Sequence, residues 1–311
     1  MRFSYLIFII LLLNSNISLG QDIYRKVEEG KLYGRIDLSE KHQKNKTLIV
    51  FIPGSGPIDS NGNSMYLKTN NFKLLSNKLL DIGYSTFRFD KRGIANSRLK
   101  EFDEKKITID ILVKDIIDWI YYIRKNYQFK KVYLLGHSEG SLIAGLVSKK
   151  IKVSGVISIA GSGRRSNYIL KDQFSQLHDT ISSKAIAIID SLSANKEVKN
   201  IPFFLHSVFR PSVQPYLLSW FKYNPAEIYD SIKASSIIIH GDSDLQISSK
   251  ESIVLSKNKI KRVIIPKMNH LMKEVDNDYE NRDSYVNFNY SIPSKLVFEI
   301  SNFIKNSIVM N

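Results

Sequence analysis

Ser138 lies in the pentapeptide Gly136-His137-Ser138-Glu139-Gly140, a setting that suits a reactive hydroxyl. Residues 131–135 ahead of it are apolar enough for a buried strand. Residues 141–147 after it carry the small and apolar side chains of a packed helix. A serine held between two glycines at a strand–helix junction is the sequence form of a turn too tight for larger flanking residues. Such a turn pushes Ser138 Oγ out at the carboxyl edge of the sheet. It also aims the N-terminus of the next helix at any negative charge that develops there. A serine hydroxyl is a poor nucleophile near neutral pH and needs a base within hydrogen-bond reach. That base, usually histidine, needs a carboxylate to fix its tautomer and stabilise the imidazolium. Both partners can be found downstream. Gly241-Asp242-Ser243-Asp244 leaves the apolar run 236–240, and Pro266-Lys267-Met268-Asn269-His270 leaves the run 262–265. His270 is the only histidine beyond that acidic loop, and Asp242 and Asp244 are both candidates for the acid.

These loops need strands to hold them. Residues 23–28 and 32–38 alternate apolar and polar side chains, as antiparallel edge strands do. Residues 47–52 form a continuous β-branched run, the mark of a strand buried on both faces. A helix is expected over 72–82 and ends at Gly83. A strand over 84–89, an amphipathic helix over 107–127 and a buried strand over 153–160 follow the same logic. The rhythm breaks over 164–231, where Pro202, Pro211, Pro215 and Pro225 interrupt mixed helical patterns. It resumes with the strand 236–240, a helix over 249–256, the strand 262–265 and a last helix from Pro293 to about 308. Strands alternating with helices predict an α/β fold: a mostly parallel twisted sheet flanked by helices, with sites beyond the carboxyl ends of its strands. The expected organisation is a core of 21–163 and 232–311, with 164–231 inserted as a helical cap.

The N-terminus stands apart. Arg2 and an apolar stretch of roughly nine residues, followed by Ser18-Leu19-Gly20, form a secretory signal of residues 1–20, too short to span a bilayer comfortably. Secretion or a periplasmic location follows, without stable membrane insertion once the signal is cleaved. The chain has no cysteine, which excludes disulfides, thiol nucleophiles and thiolate zinc sites. The net charge of +15 is scattered, without a basic block or aromatic–basic interleaving, so a solvated surface is expected and no nucleic-acid partner. A metal site from Asp59, Asp90 and His42 lacks ligand spacing. No cofactor or metal is implied, and the oligomeric state is not legible.

The motifs taken together resemble the α/β-hydrolase superfamily, and more narrowly bacterial serine carboxylesterases and S9/S33-type serine hydrolases. The resemblance rests on Pro53-Gly54-Ser55-Gly56-Pro57 with Asp59, Asp90-Lys91-Arg92-Gly93, the Ser138 pentapeptide, Gly241-Asp242-Ser243-Asp244 and Asn269-His270-Leu271, in that order. It implies the α/β-hydrolase fold, with Ser138 as nucleophile, His270 as base and Asp244 rather than Asp242 as acid. It also implies an oxyanion hole from the backbone N–H of Glu139 and of Ser55, with Gly56 next in line. The activity it implies is hydrolysis of a small carboxylic ester. A peptidase of the same fold and a non-catalytic binding protein on this scaffold are the rivals.

Further residues carry simpler expectations. His137 is expected to bond within the turn, and His240 to be a satisfied core histidine. His178 and His206 are assigned to the cap surface or its packing. Glu139 is expected to cap its own helix, and Asp90 to pair with Arg92. The cap aromatics Phe203, Phe204, Phe209, Tyr216, Trp220, Phe221 and Tyr223 are expected to pack the cap, with some lining an apolar pocket near Ser138. Residues 277–290 are expected to form a loop at the rim.

Overall fold

The computed structural model describes residues 19–41, 46–257 and 259–309. Along the third strand, Leu48, Val50 and Ile52 join one hydrophobic cluster while Ile49 and Phe51 join another, so a single β-branched run feeds two cores. This is the two-residue period of a strand covered on both faces. The strands are β1 Leu19–Val27, β2 Gly30–Leu38, β3 Thr47–Ile52, β4 Ser85–Phe89, β5 Lys131–His137, β6 Gly155–Ile159, β7 Ser236–Gly241 and β8 Lys261–Ile265. They form one sheet in the order β1-β2-β4-β3-β5-β6-β7-β8. β1 with β2 and β2 with β4 pair antiparallel, and the remaining pairs are parallel. This is the predicted α/β architecture.

The helices are α1 Asn71–Asp81, α2 Ile109–Tyr127, α3 Glu139–Lys150, α4 Ser166–Ser175, α5 Asp179–Ser193, α6 His206–Phe209, α7 Gln214–Phe221, α8 Pro225–Ser231, α9 Glu251–Ser256, α10 Asp278–Asp283 and α11 Ser294–Val309. α2 and α3 cover one sheet face through Trp119, Ile120, Ile143 and Val147. α1 and α11 cover the other through Phe72, Leu75, Leu296 and Ile300. Thr108 ends the approach to α2 by accepting from Ile111 N, which is why that helix starts two residues later than its apolar period suggests.

Between β6 and β7 the chain leaves the sheet. α5, α6 and α7 build a separate core around Ile189, Leu192, Phe209 and Leu217. The last inserted helix, α8, packs instead on the body, where Tyr229 reaches Ser141 through its hydroxyl at 3.0 Å. The inserted helices are pinned to the body by the Arg210–Glu104 ion pair, by Ser212 Oγ donating to Glu104 at 2.5 Å, and by Tyr223 donating to Asp110 at 2.6 Å. Most of the expected signal lies outside the described residues, but its last two residues open β1, where Gly20 pairs with Asp37. Among the described residues no helix is long and apolar enough to cross a membrane.

Candidate active site

The turn between β5 and α3 is as tight as its glycines suggest. A side chain at Gly136 would put Cβ 2.2 Å from the carbonyl oxygen of Gly140, and one at Gly140 would put it 2.1 Å from that of Ile52. Close approach of backbone to backbone therefore demands glycine at both positions. The strained conformation falls on Ser138 itself, with φ 56° and ψ −121°. A non-glycine residue in that region costs on the order of 1–3 kcal/mol and persists only where surrounding structure holds it. Here Ser138 N donates to Ile159 O at 2.9 Å, and Ser138 O accepts from Ser141 N at 2.9 Å.

His270 comes to the same place from the loop after β8. Its Nδ1 is 2.8 Å from Asp244 Oδ2, and both side chains are buried. Asp244 Oδ1 accepts from Gln246 N at 2.8 Å and Ile247 N at 2.9 Å. Burial alone would raise the Asp244 carboxyl. The His270 ring and the two backbone donors outweigh burial and bring it below the usual carboxylate range. Asp242 faces elsewhere: its Oδ1 accepts from Lys267 N at 2.7 Å and from Ser243 Oγ at 3.1 Å. Of the two acidic candidates, only Asp244 is bonded to His270. Ser138 and His270 line one cavity of about 80 Å³, together with Gly54, Ser55, Gln246 and Tyr285.

The loop that carries His270 is organised by a residue whose role the sequence did not disclose. Asn269 Oδ1 accepts from Leu271 N and Lys273 N, both at 3.0 Å, while its Nδ2 donates to Asn281 Oδ1 at 3.1 Å and Ser284 Oγ at 2.8 Å. Segment 277–290 is therefore more than a rim loop. It contains α10 and supplies Tyr285, whose hydroxyl accepts from Gln246 Nε2 at 2.6 Å. Lys273 is wholly buried beneath it, donating to Tyr290 O at 2.7 Å, and burial pulls its ammonium down to about 8.

His137 bonds as expected, with Nε2 2.6 Å from the carbonyl oxygen of His270 and the two rings 4.9 Å apart. Burial, with the His270 ring adding to it, holds its basicity down to about 3. His240 departs from expectation. It is fully buried at the penultimate position of β7, yet neither ring nitrogen meets a hydrogen-bond partner among the described residues. Glu139 does not cap its helix. Its carboxylate is buried and reaches Lys91 Nζ at 3.3 Å, and Oε2 has no partner among the described residues. Asp90 and Arg92 do not pair either. Asp90 accepts from Ser60 N at 2.7 Å and Asn96 N at 2.9 Å, while Arg92 grips Asp115 at 2.6 and 2.9 Å. Asp90 thus closes the turn at 90–97, and the arginine beside it is free to hold α2.

Ser55 is exposed at the lip between the Ser138 cavity and a second one of about 360 Å³. The larger cavity separates cap from body and is mostly apolar, lined by Ile94, Phe102 and Leu112 below and Val213, Tyr216 and Trp220 above. Two of the seven cap aromatics therefore border it. Phe209 and Phe221 are buried in the cap core, and Phe203 and Phe204 face solvent. His206 bonds the cap backbone at Ile201 O, 2.9 Å away, and His178 caps α5 through Thr180 N. His42 lies outside the described residues, and among those described no cluster of three metal-ligating side chains occurs.

The chain is similar to known proteins in sequence and in fold. Esterase EstD of Thermotoga maritima is 23% identical over 234 residues, which are 72% of this chain and 54% of that protein, so the chain spans about half the length of that relative. Est1E from Butyrivibrio proteoclasticus superposes with a TM-score of 0.59 over 93% of this chain and 99% of its own, at 18% identity. The Pyrococcus furiosus esterase Pf2001 gives 0.58 over 93% and 91%, at 15% identity. A proline iminopeptidase from Mycobacterium smegmatis gives 0.58 over 94% and 100%, at 10% identity, so the shared feature is the fold and not one reaction. The family model described as serine aminopeptidase, S33, matches residues 67–272, more than half of the chain and a span that contains Ser138, Asp244 and His270. The chain therefore belongs to the serine aminopeptidase S33 family and has the α/β-hydrolase fold.

Proposed function

We propose that the protein is a serine hydrolase that cleaves a carboxylic ester through an acyl-enzyme intermediate. The observation that carries this reading is a strained serine bordering the same cavity as a histidine whose Nδ1 is bonded to a buried carboxylate. With Asp244 accepting from Nδ1–H, the free lone pair of His270 sits on Nε2, the position a general base needs. Ser138 Oγ attacks the ester carbonyl while Nε2 takes its proton, and the imidazolium then protonates the leaving alcohol. Water activated by the same nitrogen releases the acid. Glu139 opens α3, so its N–H is among those that helix geometry leaves without an intrahelical acceptor. With the N–H of Ser55 it makes the oxyanion hole, each donor contributing about 3 kcal/mol in the transition state. The reaction as written needs neither metal nor cofactor.

The larger cavity takes the apolar part of the ester. Its charged lining is Lys91, Arg92 and Arg210 against Glu104 alone, and Glu104 is already held by Arg210 and Ser212. Every one of those charges is already paired, Lys91 with Glu139, Arg92 with Asp115 and Arg210 with Glu104, so the lining offers no free carboxylate to the ammonium of an aminopeptidase substrate, which favours an ester over an N-terminal peptide. The likeness to EstD, an esterase by name, points the same way.

Burst kinetics with an activated short-chain aryl ester test the mechanism. Ser138→Ala should lose both the burst and labelling by an organophosphonate, and turnover retained in that variant would defeat the reading. Aminoacyl anilides, run beside the esters, should turn over at least about a hundredfold more slowly. We also infer export through the leader of residues 1–20. Cleavage after Gly20 removes only the first two residues of β1 and leaves the pairs from Gln21↔Ile36 to Val27↔Gly30. N-terminal sequencing of the mature protein should begin at Gln21, and an intact Met1 in the cell-free fraction would refute this.

A further inference from the structure

We propose that Lys91 is a positioning residue that sets both halves of the oxyanion hole, and this inference rests on the esterase reading above. The ammonium is buried, with its side chain 9% exposed, and donates to Gly54 O at 2.5 Å and to Glu139 Oε1 at 3.3 Å. Those two contacts belong to the two segments that supply the oxyanion donors, 37 and 48 residues away in sequence.

The geometry of a peptide unit turns the first contact into a constraint on the site. The Gly54 carbonyl and the Ser55 N–H share one peptide plane, and in a trans peptide they point in opposite directions. No cis peptide occurs among the described residues. Holding the carbonyl on Lys91 therefore turns the Ser55 N–H away from it, and Gly54 and Ser55 both border the cavity that contains Ser138. Gly54 sits directly against the nucleophile, since a Cβ there would lie 3.1 Å from Ser138 Cβ. A charge-assisted bond at the carbonyl also polarises the whole peptide, making its N–H a stronger donor.

The second contact fixes the other donor. The Glu139 side chain is wholly buried and belongs to the residue whose N–H follows the nucleophile, so the ammonium ties the first turn of α3 to the loop 53–57. A buried ion pair is a poor source of net stability, because desolvation consumes most of its Coulombic gain. Alignment of two backbone donors before charge develops on the substrate is the function that suits it.

The test is a split between binding and turnover in the full chain. Lys91→Met keeps the volume of the side chain but removes the donor. It should lower kcat about tenfold to a hundredfold while KM stays within about twofold, because the oxyanion exists only in the transition state. Affinity for a trifluoromethyl ketone of matched acyl group should fall by the same factor as kcat. The chain has no cysteine, so Lys91→Cys gives a unique thiol, which 2-bromoethylamine in denaturant converts to an ammonium of nearly lysine length. Refolded, that protein should regain most of the lost kcat. Should Lys91→Met fail to fold, Glu139→Gln carries the test, with kcat expected to fall at constant KM. A kcat within about threefold of the parent, or ketone affinity unchanged while kcat falls, overturns the inference. A parent protein that no organophosphonate labels removes the esterase reading and this inference with it. Normal parent labelling with an unaffected Lys91→Met variant overturns this inference alone.

Discussion

Asp242 and Asp244 stand two residues apart on one loop and meet different partners. Asp244 bonds His270 and two backbone N–H groups, whereas Asp242 closes the loop onto Lys267 N. Asn at position 244 would present an amide to Nδ1 and favour the wrong tautomer, a change that costs on the order of 10³–10⁴ in kcat. Asp242→Asn should stay within about threefold, since an amide oxygen still accepts from Lys267 N. Steady-state kinetics on both variants decide the matter, and equal losses would dismiss Asp244 as the acid. The catalytic candidates were legible at this scale because they sit at the ends of apolar runs, where sequence patterns are most informative. Their supports were not. Glu139 meets Lys91 across 48 residues and Arg92 meets Asp115 across 23, and no local pattern encodes such pairings. His240 shows the opposite failure: burial was readable from its place in the run 236–240, but the absence of a partner among the described residues was not.

The elbow is where local geometry and packing meet. β3 and β5 lie side by side, with Ile52 opposite Gly136, so α3 must start directly over the end of β3. A methyl group at Gly140 would meet Ile52 O at 2.1 Å and Pro53 O at 2.7 Å, both backbone atoms that cannot rotate away. Gly140→Ala should therefore destabilise by about 2–3 kcal/mol, read as a lower urea midpoint at constant m value. It should also reduce phosphonate labelling of whatever protein remains folded, because the same shift moves Ser138. An unchanged midpoint would mean that the elbow is looser than its distances. The sheet was readable from β-branched runs and its helices from their apolar period. α10 was missed, although its signal was present: Asn277 is its N-cap and accepts from Glu280 N at 3.0 Å, while Glu280 reaches back to Asp276 N at 2.7 Å, one residue ahead of the N–H that a capping box would bond. The cap resisted reading for a different reason. Its helices bury their faces in one another, so which aromatics turn inward depends on neighbours that composition does not reveal.

At the scale of the whole molecule, the buried imidazoles of His137 and His240 are kept neutral by the folded state. Burial is the main cause in both, and it depresses His137 from 6.5 to about 3 and His240 from 6.5 to about 4. The unfolded chain takes up protons at these residues near pH 6.5, where the native state still refuses them. Their stabilising contribution is thus complete above about 6.5 and drains away as the pH falls towards the folded values. Each refused proton costs up to about 1.4 kcal/mol per pH unit across that window. Urea denaturation between pH 7.5 and 4.5 should show stability falling below about 6.5, and His240→Leu should make that fall shallower by about one proton. At pH 7 the same variant should be neutral or stabilising, because it replaces two unpartnered buried nitrogens with apolar atoms. His137→Leu should flatten the acid limb too, but lose stability at pH 7, since its Nε2 bond to the His270 carbonyl is broken. A pH profile identical in the parent and in both variants would place the acid sensitivity in the carboxylates instead.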